Sequence, residues 1–315
     1  MSKIKNSLKD SLFYGKILLF GEYGIIEDSM GLSIPYNNYQ GSFIFDTNSK
    51  PDFIDSNSEL IKFYTHLVTL QNNNEIPCQL DLSKFSEDLE EGMAFDSSIP
   101  QGYGVGSSGA LVAAIYDKYA TEKVEGKTNE EILKLKLIFG TMESYFHGKS
   151  SGLDPLICYL NLPILIKSKS ELNTVGLPLE KENKGAIFLL NTGTVGKTQP
   201  LVEHFLDRLK EEGFRNMIRN QFKKHNDASI NAFLEEDKQS LLSNVKSLSK
   251  LALEHFKPMI PNLYHKLWQE GIDSNAYYLK LCGSGGGGFI LGFTDDMENA
   301  QKKLSKYDLS VIHKF

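Results

Sequence analysis

The chain has 315 residues, with 34 Lys and Arg against 40 Asp and Glu and a formal charge of −6. That length exceeds what a single hydrophobic core ordinarily organises, so two domains are expected, and the negative balance gives no electrostatic ground for nucleic acid or an anionic membrane as partner. Three cysteines, Cys78, Cys158 and Cys282, are odd in number and far apart, which argues against a disulfide framework or a zinc knuckle and for a reducing cytoplasm. No apolar run approaches the roughly 18 residues of a membrane span, and the opening MSKIKNSLKD leads into no signal-peptide core.

The first predicted strand covers 13–20, apolar from Ile17 to Phe20 between glycines, with Lys16 at its entrance and Glu22 at its exit. Further strands are expected near 40–46 and 78–82. Between them, residues 57–71 place Leu60, Ile61, Phe63, Tyr64, Leu67, Val68 and Leu70 at helical spacing.

Residues 100–111 read PQGYGVGSSGAL and run straight into the helix-forming stretch LVAAIYDKYA. Pro100, Gly102, Gly104, Gly106, Ser107, Ser108 and Gly109 therefore form a loop of bare backbone amides with two hydroxyls at a helix N-terminus. Unpaired N–H groups and the aligned peptide dipoles both favour a polyphosphate there. The two hydroxyls can reach a magnesium ion, as the serine or threonine of a Walker A loop does. No Walker A is present: Gly196-Lys197-Thr198 has Asn191 where the motif needs glycine, and Gly148-Lys149-Ser150 has Glu143. The glycine spacing is G-x-G-x-G, so it is not the dinucleotide G-x-G-x-x-G either.

Helices are predicted over 108–121 and 130–146, the second opened by Thr128 as a cap with Glu131 three residues on. Glu143 and His147 are four residues apart and share a helix face. A zinc reading of that pair fails, because no H-E-x-x-H occurs among the seven histidines. Glu143 is instead a candidate carboxylate ligand for magnesium, and Asp154, expected on a glycine-serine loop, a candidate acceptor of a hydroxyl proton.

After a strand at 162–167, the polar stretch 168–184 carries the expected boundary, giving domains 1–176 and 177–315. The second domain is predicted as a strand at 186–191, helices over 200–222, 228–253 and 262–270, strands at 276–282 and 289–293, a helix at 296–307 and a strand at 309–313. That order is α+β. Trp268, the sole tryptophan, is expected to pack on a helix face rather than read a base. The run Gly283-Ser-Gly-Gly-Gly-Gly between two apolar strands lets backbone approach another loop or a ligand.

Taken together, these segments resemble the GHMP kinases, the superfamily of galactokinase, homoserine kinase, mevalonate kinase and phosphomevalonate kinase. Residues 100–110 are similar to its phosphate loop, P-x-x-x-G-(L/V)-G-S-S-(A/G)-(A/G), and residues 280–288, KLCGSGGGG, to its third motif. Residues 14–23, YGKILLFGEY, resemble the G-K-(I/V)-x-L-x-G-E-H opening of mevalonate kinases, and residues 147–154, HGKSSGLD, their H-G-x-P-S-G-x-D. Both ends and the middle of the chain are covered.

The resemblance implies a two-domain GHMP kinase-like fold with a ferredoxin-like C-terminal domain, and ATP and Mg2+ as cofactors. It implies that Asp154 is the catalytic base with Lys16 beside it, and that Ser108 and Glu143 hold magnesium. By the same resemblance Glu22, Tyr23 and His147 lie toward the substrate, and Thr198 lies near the transferred phosphate. Three positions depart from the mevalonate kinase pattern: Tyr23 stands for histidine, Ser150 for proline, and Leu111 where animal enzymes tend to have tyrosine. The implied activity is phosphorylation of a small alcohol, with mevalonate foremost and phosphomevalonate, homoserine, a sugar or a non-catalytic nucleotide sensor as alternatives. The expected state is a cytoplasmic monomer or homodimer.

Overall fold

The structure, a computed structural model, describes residues 11–45, 51–180, 183–196 and 198–315. Contacts divide the chain into two compact units. The first comprises Met1–Lys16, Pro35–Pro100 and Gly106–Asn161, and the second Ile17–Ile34, Gln101–Val105 and Leu162–Phe315. Where the sequence suggested one cut between 176 and 177, contacts assign 17–34, 101–105 and 162–176 to the second unit.

Strand β1 (Phe13–Phe20) has the predicted bounds, and β2 (Gly31–Phe45) is much longer than the expected 40–46. In the first unit β2 pairs antiparallel with β3 (Met93–Ser97), from Gly41 opposite Ser97 to Phe45 opposite Met93. Helix α1 (Pro51–Asn72) buries Leu60, Phe63, Leu67 and Leu70, the stripe its spacing predicts. The strand expected at 78–82 is not formed. Leu80 makes only an isolated bridge to Ala120, and Asp81 caps α2 (Leu82–Glu90), accepting from the Lys84 amide at 3.0 Å. A capping aspartate followed by Phe85 and Leu89 on one face stabilises a helix more than two residues of ladder would a strand.

Helix α3 (Ser107–Tyr119) is buried through its middle, where the run Gly109, Ala110, Val112, Ala113, Ala114 and Ile115 is small or apolar. Helix α4 (Asn129–His147) starts with the predicted capping box between Thr128 and Glu131 and buries Ile132, Leu135, Ile138, Phe139 and Met142. Each such side chain contributes about 1.5–3 kcal/mol by leaving water. Helix α5 (Leu153–Leu160) corrects the expected loop. Gly152, at φ 72, caps it, and Pro155 falls in its first turn, where a missing N–H costs nothing. Asp154 is therefore a helix residue.

In the second unit, residues 31–33 of β2 pair with β4 (Ile164–Ser168), which pairs with β5 (Glu171–Thr174) inside the stretch expected to be a linker. There follow β6 (Ala186–Asn191), α6 (Thr198–Arg208), α7 (Glu212–Met217), α8 (Lys223–Leu234), α9 (Lys238–His255), α10 (His265–Ser274), β7 (Tyr278–Leu281), β8 (Phe289–Thr294), α11 (Met297–Lys303) and β9 (Leu309–Lys314). The long helix expected over 228–253 breaks where Glu236 turns left-handed, at φ 61, and Asp237 caps α9. Among the described residues, β7-β8-β6-β9 form an antiparallel sheet in that order. With α6–α10 after the first strand and α11 after the third, this is the ferredoxin-like arrangement expected. Trp268 is fully buried, and its indole N–H donates to the Ser249 carbonyl of α9 at 2.9 Å. No helix among the described residues is long and apolar enough to cross a membrane.

Candidate active site

The first unit gathers five of the predicted side chains around the start of α3. Gly106, at φ 82, is the N-cap of that helix and supplies no side-chain hydrogen bond, so its first turn of amides is left for another acceptor. Gly109 lies against α5: a Cβ there would come within 2.9 Å of the Asp154 carbonyl carbon. This contact sets the Asp154 backbone directly beside the glycine-serine loop. The Asp154 carboxylate receives the Lys16 ammonium at 2.7 Å, with Lys16 5% exposed and Asp154 42% exposed. A buried cation thus meets a carboxylate that solvent can reach, an arrangement able to accept a proton beside developing negative charge.

Ser108, in the first turn of α3, reaches α4. Its hydroxyl donates to Glu143 Oε1 at 3.0 Å and lies 3.1 Å from His147 Nε2. Glu143 is buried, and Ser150 donates to its second carboxylate oxygen. Burial, reinforced by the negative charge of Asp154, pushes the Glu143 carboxyl up to about 7 against the serine hydroxyls that favour ionisation. Burial also lowers the His147 pKa from its ordinary value.

Magnesium fits this donor set. A hard dication beside a desolvated carboxylate and a hydroxyl oxygen would offset the very charge that burial penalises, and Mg2+ ordinarily takes only one or two protein carboxylates besides phosphate and water. Among the described residues, no group of three or more His, Cys, Asp and Glu side chains gathers to hold a metal without such help.

The second unit contains the rest. Gly102 and Gly104 turn left-handed, at φ 75 and 77, in the segment leading to α3. The Gly102 carbonyl accepts from the Gly196 amide, and Gly104 sits over the Cys282 carbonyl. The glycine run 283–288 closes on the same two segments. Gly288 donates to the Thr194 carbonyl at 2.6 Å, and a Cβ on it would meet the Tyr103 backbone at 2.5 Å. Of the two roles open to this run, packing of loop on loop is the one observed. Pro100 is half-buried just ahead of this segment, and Ser107 half-buried just after it.

Glu22 and Tyr23 are not presented as an open acceptor surface. Glu22 is 4% exposed and ion-paired with Lys280, itself 1% exposed, and burial raises the Glu22 pKa. Tyr23 has φ 59, donates its hydroxyl to the Ser284 carbonyl at 2.7 Å, and packs on Phe205 and Phe256. Thr198 opens α6; its side chain, like Lys197, lies outside the described residues. Two partners went unassigned in the sequence. Ser150 was visible only as a departure from proline, and Lys280 stood at the head of the third motif with nothing to mark it as the partner of a residue 258 positions away.

Residues 78–161 match the model of the GHMP kinases N terminal domain. Solved structures share the fold across nearly the whole chain. Mevalonate kinase of L. major, in complex with R-mevalonate, superposes with a TM-score of 0.61 at 18% identity, covering 94% of this chain and 90% of that one. Streptococcus pneumoniae phosphomevalonate kinase, in complex with phosphomevalonate and AMPPNP, gives 0.62 at 15% identity over 96% and 99%. Lactococcus lactis galactokinase, complexed with galactose, gives 0.66 at 13% over 98% and 94%. No curated protein sequence matches the chain significantly.

Proposed function

We propose, on the premise that the chain belongs to the GHMP kinase superfamily, that it transfers the terminal phosphoryl group of ATP to the hydroxyl of mevalonate, giving 5-phosphomevalonate for isoprenoid precursor synthesis in the cytoplasm. The observation that carries this reading is the Lys16–Asp154 pair at the packed start of α3.

Phosphoryl transfer needs positioning and charge neutralisation more than covalent help. The uncapped amides of residues 107–109 and the α3 dipole bind the polyphosphate. The acceptor oxygen bonds to the γ-phosphorus, the bond from that phosphorus to the bridging oxygen breaks, and ADP leaves with the electron pair. Asp154 takes the hydroxyl proton, and Lys16 stabilises the negative charge that gathers on the transferring group. Magnesium, held by Ser108 and Glu143, supplies neutralisation of the phosphate oxygens when bound. Gly102, Gly104 and Gly106 give the phosphate loop its left-handed corners. Mevalonate as the acceptor rests on residues 14–22 and 147–154, whose patterns resemble mevalonate kinases.

Purified chain, ATP and Mg2+ are incubated in turn with mevalonate, phosphomevalonate, homoserine and galactose, and ADP release is followed. Release with mevalonate supports the reading. Release with another acceptor alone reassigns the substrate within the superfamily, and no release from any of them favours a nucleotide sensor.

A further inference from the structure

Glu143 and His147 sit one turn apart on α4, and both point at the same atom, the Ser108 hydroxyl oxygen. Two distances frame this arrangement: 3.0 Å from Ser108 Oγ to Glu143 Oε1 and 3.1 Å from Ser108 Oγ to His147 Nε2. Neighbouring ligands of an octahedral ion with bonds of 2.0–2.1 Å are about 2.9 Å apart. Ser108 Oγ is thus set from each of the other two donor atoms at the separation of neighbouring corners in one coordination shell.

Proton accounting points the same way. A serine hydroxyl has one proton, which Ser108 gives to Glu143, and the contact with His147 Nε2 closes as a hydrogen bond in the tautomer that carries its proton on Nε2. A neutral imidazole has one proton for two ring nitrogens, so the same ring in the same place can present either an N–H or a lone pair at Nε2. Shifting the imidazole proton to Nδ1 then turns the Nε2 lone pair inward at no cost in position. His147 is an exposed residue at the last position of α4.

We propose that His147 Nε2 is a nitrogen ligand of the divalent cation held by Ser108 and Glu143, and that the site consequently favours first-row transition cations over Mg2+. An oxygen-only set suits magnesium, whereas one imidazole tilts preference toward Mn2+ and Co2+. The inference rests on the cation reading of Ser108 and Glu143, and the test separates the two.

The full chain is loaded with Mn2+ and inorganic tripolyphosphate, a probe without nitrogen, and examined by electron spin-echo envelope modulation. Directly bound 14N modulation is expected, replaced by a 15N pattern in protein labelled with 15N-histidine, and absent from His147→Gln and His147→Asn while Mn2+ stays bound. In the same variants the ratio of Co2+ to Mg2+ affinity falls by about tenfold or more. Mn2+ whose binding depends on Ser108 and Glu143 but shows no histidine nitrogen overturns the ligand and leaves the cation site standing. Mn2+ binding indifferent to Glu143→Gln overturns the cation site, and this ligand with it.

Discussion

Replacing Glu143 with glutamine isolates the electrostatic cost of the buried carboxyl. Its pKa is raised from 4.5 to about 7, with burial the largest cause and Asp154 the next. A carboxyl whose folded pKa lies above its unfolded value binds its proton more tightly when folded. Its contribution to stability is complete below about pH 4.5 and is lost as the pH rises through about 7. At about 1.4 kcal/mol per pKa unit the full swing is about 3 kcal/mol. Glutamine has the same shape and does not titrate. The free energy of unfolding of Glu143→Gln minus that of the native chain should therefore climb by roughly 1.4 kcal/mol per pH unit between about pH 5 and 7, and level off by about pH 8. Any difference in how the amide meets Ser108 and Ser150 adds an offset that does not vary with pH. Urea titrations followed by far-UV circular dichroism at half-unit pH steps give this curve. Mg2+ with ADP, added to the native chain at pH 8, should recover much of the loss, because the ion needs the charged form. A difference that stays constant from pH 5 to 8 would refute the reasoning.

Other perturbations read other parts of the account. Gly288→Ala puts a side chain at φ +67 and within 2.5 Å of the Tyr103 backbone, and should destabilise the second unit by about 2–5 kcal/mol, read from Trp268 fluorescence in urea. A loss under about 1 kcal/mol would mean the three loops are not interlocked. Lys280→Met strands a buried Glu22 and should cost about 3–5 kcal/mol, whereas Glu22→Gln with Lys280→Met should recover most of it; equal losses in the two would contradict a paired charge. Thr128→Ala removes half of the capping box and should cost about 1 kcal/mol without altering kcat.

Legibility followed the range of the interactions. The capping box of α4 was readable because a four-residue hydrogen-bonding unit needs no tertiary partner to form. The strand β1 and the glycine-serine start of α3 were readable for the same reason. Helix α5 was hidden because Asp-Pro is also a turn signal, and only packing of α3 against residues 154–155 through Gly109 decides between the two. The 78–82 segment carries strand-like residues, but the cap at Asp81 pulls its end into α2. At the site, Lys16 pairs with Asp154, and Ser108 with Glu143 and His147, all within one unit. Glu22 and Tyr23 carry the right motif but face inward, because Lys280 and Ser284, supplied by distant segments, meet them. No local pattern encodes a partner more than 250 residues away.

The account turns on Asp154 as the acceptor of the hydroxyl proton, and a single-turnover comparison of the native chain with Asp154→Asn tests it most directly. Enzyme in excess over γ-32P-labelled ATP, with Mg2+ and mevalonate, is quenched over time and phosphomevalonate is counted, alongside equilibrium binding of ADP to both proteins. The account predicts phosphoryl transfer slowed by about 10²–10⁴ with ADP affinity essentially unchanged. Transfer by Asp154→Asn at close to the native rate would contradict it.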